Sequence, residues 1–353
     1  MNPKPIRILA VVPAVNDANS YYRTIGPLQE LVRSTATSDH PIQFSTTDQV
    51  SWSNIIQHDI IYMQRACGAG ALEAARLAVQ MGKPLWCDWD DHMFAVLRSN
   101  PLYCEETYPQ ECETVKEIAS LATIITVTTP ILKDVFKEYN PNTLIIPNAV
   151  DPTLYATFKQ PPKRKHSKIV YWRGSPSHIE NLLRYAPMIK QVAEQNLDVH
   201  FVFHGMDPYF IQLPKHQYTF IKPSRIPDCF ITEMEIQPDV HMVCLNDTPF
   251  DRARSNIAWM EGTMANTLVV APKWYLPAGY VGIGFDFHEF PDKLKQALYM
   301  SNEDKEDIIC KAQNKIHTVN LISMANDVRL NKVIHPLFEL SLEGFIELKL
   351  HSL

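Results

Sequence analysis

The chain has 353 residues, 46% of them apolar and 20% charged, with a formal net charge of −6. That length suggests two domains, and that balance describes a globular protein with ample core material rather than a disordered or fibrous one. The acidic charge argues against a protein that coats nucleic acid non-specifically, and no apolar run approaches the roughly 20 residues of a bilayer-spanning helix.

The N-terminus, Met1-Asn-Pro-Lys-Pro-Ile-Arg, runs straight into a strand and lacks a secretory apolar region. Seven cysteines at scattered spacings suggest reduced thiols rather than a disulfide framework, and no CxxC pair supports a metal site. A cytoplasmic location is the resulting expectation.

In the first half, strand and helix patterns alternate. Strands are expected over Ile6–Val12, Pro41–Ser45, Asp59–Met63, Leu85–Cys87, Thr123–Val127 and Leu144–Ile146. Helices are expected over Tyr21–Ser34, Gly70–Gln80, Glu105–Leu121 and Pro130–Tyr139. Repeated strand–helix units imply a parallel sheet covered by helices. A polar stretch, Lys159-Gln-Pro-Pro-Lys-Arg-Lys-His-Ser-Lys168, then reads as an exposed linker.

A second series follows. Strands are expected at Ile169–Trp172, Val199–Phe203, Tyr218–Ile221, Val240–Leu245 and Leu268–Ala271, with helices at His178–Gln195 and Arg254–Met264. From Glu289 to about Leu350 the pattern is largely helical. The fold class is thus α/β, with two Rossmann-like doubly wound domains facing across a cleft. The expected division is 1–150, 151–320 and a C-terminal helical segment, 321–353, that can cross back to the first domain.

In such sheets, ligands bind beyond the carboxyl ends of the strands, so those loops carry the chemistry. The first lacks GxGxxG, and the chain has only 11 glycines, which counts against a dinucleotide-binding oxidoreductase. It offers Tyr21, Tyr22 and Arg23, read either as acceptor contacts or as packing residues. Asp88-Trp-Asp-Asp91 gathers Asp88, Asp90 and Asp91 at a strand end. Such carboxylates meet a cation or sugar hydroxyls, or supply a catalytic base, or merely cap a helix. Magnesium there is compatible but not required.

In the second half, Arg173-Gly-Ser-Pro-Ser-His178 combines a guanidinium, Gly174 and the Ser175 hydroxyl in an anion-pocket pattern. His204 follows another strand, as a contact to base or sugar or as a buried histidine. The richest stretch is Asp251-Arg-Ala-Arg-Ser-Asn256, running on to Glu261. Arg252 and Arg254 near a helix start attract phosphate, Ser255 and Asn256 add polar groups, and Glu261 can accept from a ribose diol. One segment can then hold both ends of a nucleoside diphosphate, which points to a nucleotide-sugar enzyme.

Together these residues resemble a glycosyltransferase of the GT-B fold, similar to family 4 and its bacteriophage-type relatives. The anchors are Ile146-Pro-Asn-Ala-Val-Asp151, Val170-Tyr-Trp-Arg-Gly-Ser-Pro-Ser-His178, Ser255 to Pro272, and Leu85-Trp-Cys-Asp-Trp-Asp-Asp91. The resemblance implies a second domain that binds a nucleoside-diphosphate sugar, a UDP-sugar first among them. Glu261 would hold the ribose, and Arg173 with Arg254 or Arg252 the diphosphate, while Asp251 would lie near the donor sugar. It implies hexosyl or pentosyl transfer with retention and no required cofactor. Three departures stand out: Ala253 replaces the first glutamate of the family's pair, the lysine that accompanies the arginine is missing, and so is the glycine-rich acceptor loop. If transfer inverts, one of Asp88, Asp90 or Asp91 would be the base.

Two acceptors fit: a glycan, or a hydroxymethylated pyrimidine in phage DNA contacted by Lys159, Lys163, Arg164 and Lys165. A non-catalytic nucleotide-sugar-binding protein and a nucleotide-sugar epimerase are the competing classes.

Overall fold

A computed structural model describes residues 4–101, 103–156, 158, 168–279 and 281–350, with side chains to residue 343. The cations Lys159, Lys163, Arg164 and Lys165 lie outside the described residues.

The first sheet contains β1 (Ile6–Val11), β2 (Ile42–Thr47), β3 (Ile60–Gln64), β4 (Leu85–Trp89), β5 (Ile124–Val127) and β6 (Thr143–Ile145). They pair in parallel in the order β2-β1-β3-β4-β5-β6. Strands β3 and β4 are buried at every position, as a sheet covered on both faces requires. Trp86 and Trp89 of β4 are among the largest fully buried side chains. Burying side chains of this kind stabilises the fold by about 2–3 kcal/mol each.

The second sheet contains β7 (Lys168–Arg173), β8 (Val199–His204), β9 (Tyr218–Ile221), β10 (Val240–Met242), β11 (Leu268–Pro272) and β12 (Ile283–Phe285). Its order is β12-β11-β10-β7-β8-β9, again parallel. Counted from β7, this is the 3-2-1-4-5-6 arrangement of dinucleotide-binding sheets, with its switch point between β7 and β10. The expected fold class is therefore observed: two doubly wound α/β sheets.

Several elements depart from the sequence reading, among them β12 and the short helices Trp52–Ile56 and Pro152–Ala156, none of them anticipated. The helix expected over Tyr21–Ser34 begins earlier, at Ala18, and contains a π-helical turn over Tyr21–Ile25. The Gly26 amide reaches the Tyr21 carbonyl five residues back. A Cβ at position 26 would lie 2.9 Å from that oxygen, so glycine suits the wide turn. The helix expected over Arg254–Met264 splits into Pro249–Arg252 and Ile257–Met264. Thr248 caps the first piece through the Asp251 amide, and Pro249 begins it, so the helical phase is set before the arginines. The helix Asp228–Ile236 was not anticipated. Its apolar residues are contiguous as well as helically spaced, which hides the period.

Two chain segments join the domains. Val150 pairs with Leu321 in an isolated parallel bridge, so the outgoing and returning segments lie side by side. After the Asn302–Val319 helix the chain returns to the first sheet. Ile322, Ala325, Val333, Ile334, Leu337 and Phe338 share a core with Ile6, Ile8 and Leu28. Among the described residues no helix is long and apolar enough to cross a membrane.

Candidate active site

The carboxyl ends of the two sheets face one another across a cavity of about 460 Å³. From the second domain the cavity reaches β7, the turn after it and the backbone following β10, and so includes that sheet's switch point. From the first domain it receives the loops after β1, β3 and β4.

Arg173, the last residue of β7, projects into the cavity and pairs with Glu261 of the Ile257–Met264 helix. Burial works against its charge, and the Glu261 carboxylate together with Tyr22 and Cys229 outweighs burial, so the guanidinium is held charged. Glu261 also accepts a hydrogen bond from the Tyr22 hydroxyl, which comes from the first domain. The carboxylate is 1% exposed, so the domain junction closes over it. The turn after β7 is tightly built. A Cβ on Gly205, at φ 104°, would lie 2.4 Å from the Gly174 carbonyl. No side chain fits there.

Arg254 lies in the break between the two short helices and also lines the cavity. It donates to His178 Nε2 at 3.0 Å and lies 3.5 Å from Asp251. Burial and the nearby Arg254 and Arg173 charges push His178 well below the usual histidine range, so it is a neutral acceptor. Burial raises the Asp251 carboxyl, with Arg254 and hydrogen bonds from Asn181 and Thr248 opposing. Ile257 and Ala258 place a helix N-terminus against the same space, an orientation that favours anions.

The opposite wall is acidic. Asp90 and Asp91, just beyond β4, face the cavity with Arg65, just beyond β3. Arg65 lies 3.2 Å from Asp91 and 3.7 Å from Asp90. Its φ of 49° is a left-handed backbone conformation that non-glycine residues seldom adopt. Burial pushes the Asp90 carboxyl up to about 7, and the Asp91 charge adds to the effect.

The candidate residues named from the sequence therefore divide. Asp90, Asp91, Arg173, Gly174, Ser175, Arg254, Ser255 and Tyr22 all line the cavity. Glu261, expected to hold the ribose, does not line the cavity: it is 1% exposed behind Arg173 and Tyr22, which take its two oxygens.

Others are corrected. Asp88 is 1% exposed and does not reach the cavity, because Arg23 holds both its oxygens at 2.8 and 2.7 Å. Arg23, expected at the acceptor face, is equally buried and also donates to the Ile146 carbonyl. Tyr21 packs edge-on against Tyr22 and Phe230 instead of lining the cleft. His204 is fully buried, bonded to Tyr171 and Ser224, with its pKa lowered to about 4 mainly by burial. Arg252 turns outward to Asp247 and lies 4.6 Å over the Trp274 ring. Asp251 is buried beneath Arg254, and Asn256 precedes the Ile257–Met264 helix without a side-chain capping bond.

Sequence reading missed Arg65 and the roles of His178 and Asn148. Arg65 follows a strand end, the position rule that found the others. Asn148 Nδ2 donates to Ser255 at 2.8 Å across the domain junction. Among the described residues no group of three or more His, Cys, Asp or Glu is placed to hold a metal ion.

The buried Arg23–Asp88 pair makes a stability prediction. Asp88→Asn leaves the guanidinium without its countercharge and is expected to cost about 3–5 kcal/mol. Urea melts should show a lower midpoint at unchanged slope; a loss under about 1 kcal/mol would contradict the assignment.

Two Rossmann-like domains facing across such a cleft make up the GT-B architecture. No protein-family model matches the chain, and no curated protein matches it by sequence. Solved structures do. A sucrose-phosphate synthase from Thermosynechococcus elongatus superimposes with TM-score 0.66 at 12% identity, over 95% of this chain and 99% of that one. A UDP-forming α,α-trehalose-phosphate synthase from Burkholderia vietnamiensis gives 0.62 at 11% identity, over 96% and 98%. A Listeria monocytogenes protein assigned as a UDP-N-acetylglucosamine 2-epimerase gives 0.56 at 10% identity, over 92% and 95%. The fold is thus shared with GT-B glycosyltransferases along nearly the whole chain.

Proposed function

We propose that this protein transfers a hexosyl or pentosyl group from a nucleoside-diphosphate sugar, with UDP as carrier, to an acceptor hydroxyl. The observation that carries the reading is the pair Arg173 and Arg254, both lining the cavity beside a helix N-terminus at the switch point of the second sheet. Negative charge grows on the diphosphate as the glycosidic bond breaks, so placed guanidinium groups stabilise the transition state more than the bound donor. The UDP-forming synthase of similar fold supports the choice of carrier. The reaction is taken to be cytoplasmic, and the bacteriophage-type cast of the motifs is retained as part of the same proposal.

The resemblance to family 4 implies retention, in which the leaving phosphate takes the acceptor proton. Asp90 favours the other outcome. It lies on the wall facing the arginines, with its pKa raised to about 7. We therefore assign it the acceptor proton. The hydroxyl oxygen bonds to the anomeric carbon, the carbon–phosphate oxygen bond breaks, and its electron pair leaves with the diphosphate. Attack from the first-domain wall inverts the anomeric centre. Anomeric analysis of the product is the check, and a retained product would remove Asp90 from this role.

A thermal-shift screen of UDP-sugars tests donor binding. A ligand at 100 times its Kd adds about 2.7 kcal/mol, which raises Tm by several degrees. Arg254→Ala is expected to weaken UDP binding about 10- to 100-fold, through the loss of charge-assisted hydrogen bonds. Unchanged affinity would exclude it from the diphosphate site.

The likeness to the Listeria protein favours a second reading, a nucleotide-sugar epimerase. An epimerase alters the donor with no acceptor present. A donor re-isolated with its sugar configuration unchanged, alongside acceptor-dependent UDP release, supports transfer.

A further inference from the structure

The charged groups that line the cavity differ in sign between its two walls, with Glu261 and Asp251 lying behind the arginines of one of them. On the second-domain wall are Arg173 and Arg254 with a neutral His178. On the first-domain wall are the carboxylates of Asp17, Asp90 and Asp91 against a single guanidinium, Arg65. Arg65 is already engaged by Asp91 at 3.2 Å and Asp90 at 3.7 Å. Asp17 is partly engaged too, accepting from the Ser20 amide at 2.6 Å.

Asp90 provides a second and independent observation. Its side chain is 9% exposed, and its Oδ1 has no hydrogen-bond partner among the described residues. Buried polar atoms are nearly always hydrogen-bonded, because leaving one unmet is unfavourable. A carboxylate oxygen accepts and cannot donate. Oδ1 itself is buried, 3.7 Å from Arg65 Nε, while the Asp90 side chain lines the cavity, from which a donor can meet the carboxylate. The left-handed backbone at Arg65 belongs to the same wall and is tied by its amide to the Asp88 carbonyl at 2.8 Å.

We propose that the acceptor is a carbohydrate without anionic groups where it meets the protein, and that its reacting hydroxyl donates to the Asp90 carboxylate while a neighbouring hydroxyl or amine meets Asp91. This rests on the donor reading above and names the partner substrate of that same site. A phosphorylated acceptor would set a dianion against the Asp17 and Asp91 carboxylates and against Asp90, which ionises at about 7, with one cation already shared between two of the three. The cations across the cleft are occupied by the donor diphosphate. A polyanion such as DNA meets the same repulsion along the wall. A polyhydroxyl group supplies several donors without charge, which is what this wall accepts.

The test uses the full chain saturated with UDP. It is applied to an array of neutral, amino, phosphorylated and uronic-acid glycans, together with duplex DNA carrying 5-hydroxymethylcytosine. Binding is expected on neutral or amino glycans. Asp90→Asn is expected to reduce it tenfold or more, while UDP affinity, read by tryptophan fluorescence, stays within twofold. Asp90→Glu keeps the carboxylate and should recover part of the binding, which a general loss of folding would not allow. Binding confined to phosphorylated or uronic-acid glycans or to DNA, no binding to any surface, or an unaltered Asp90→Asn would each overturn the proposal. If UDP itself fails to bind, the donor reading falls, and the array is then read without UDP by the same criteria.

Discussion

Replacing Arg173 by alanine is expected to lower turnover with a UDP-sugar by about 100- to 1000-fold, the usual consequence of removing one placed donor from a developing negative charge. The same change strips the ion partner from Glu261, which is 1% exposed and retains the Tyr22 hydroxyl as its remaining hydrogen-bond partner. A buried carboxylate deprived of its guanidinium destabilises a fold by about 3–5 kcal/mol. Lost activity alone therefore does not separate chemistry from folding. The double variant Arg173→Ala with Glu261→Gln separates them, because a neutral amide no longer needs the charge. Stability is expected to recover in large part, as read by thermal melting, while turnover stays at the level of the single variant. Turnover that recovers with stability would mean that Arg173 holds the domain junction together and does not meet the diphosphate.

Much of this arrangement was legible in the sequence for a simple physical reason. Strands buried on both faces become short apolar runs, so Ile6–Val11 and Leu85–Trp89 stand out, and the loops after them mark the cleft. What was not legible depends on partners distant in the chain. Asp88 and Asp90 are two residues apart at one strand end and look interchangeable. Arg23, 65 positions away, folds against Asp88 alone. Nothing local announces that pairing, and it turns one carboxylate into a core residue while leaving the other in the cavity. Arg252 and Arg254 divide in the same way. The helical piece that begins at the Thr248 cap stops at Arg252, which turns to Asp247, and leaves Arg254 in the break facing His178. The π-helical turn at Tyr21–Ile25 similarly aims Tyr22 at Glu261 and Arg23 inward, a separation that regular helical spacing would not have suggested.

The pH dependence of transfer should report Asp90. Its carboxyl is pushed up to about 7, first by burial and then by the Asp91 charge, with Arg65 and Arg23 opposing and Asp88 adding to the rise. A group that takes a proton must begin ionised. Activity is therefore low where Asp90 is protonated and grows as pH rises through its pKa. Below that value kcat/KM should climb about tenfold per pH unit, and it should level off above about pH 8. Two nearby histidines and two arginines do not supply the same limb. His178 and His204 are held neutral, with pKa values below the ordinary histidine range, and Arg65 and Arg173 stay charged throughout. Asp90→Asn is expected to remove the limb and lower the plateau by about 100- to 10,000-fold, the usual range for a general base. Donor affinity should not follow, since Asp90 lies on the wall opposite the arginines. A limb near 7 that persists in Asp90→Asn would transfer the proton to the leaving phosphate, and retention at the anomeric carbon would be expected with it.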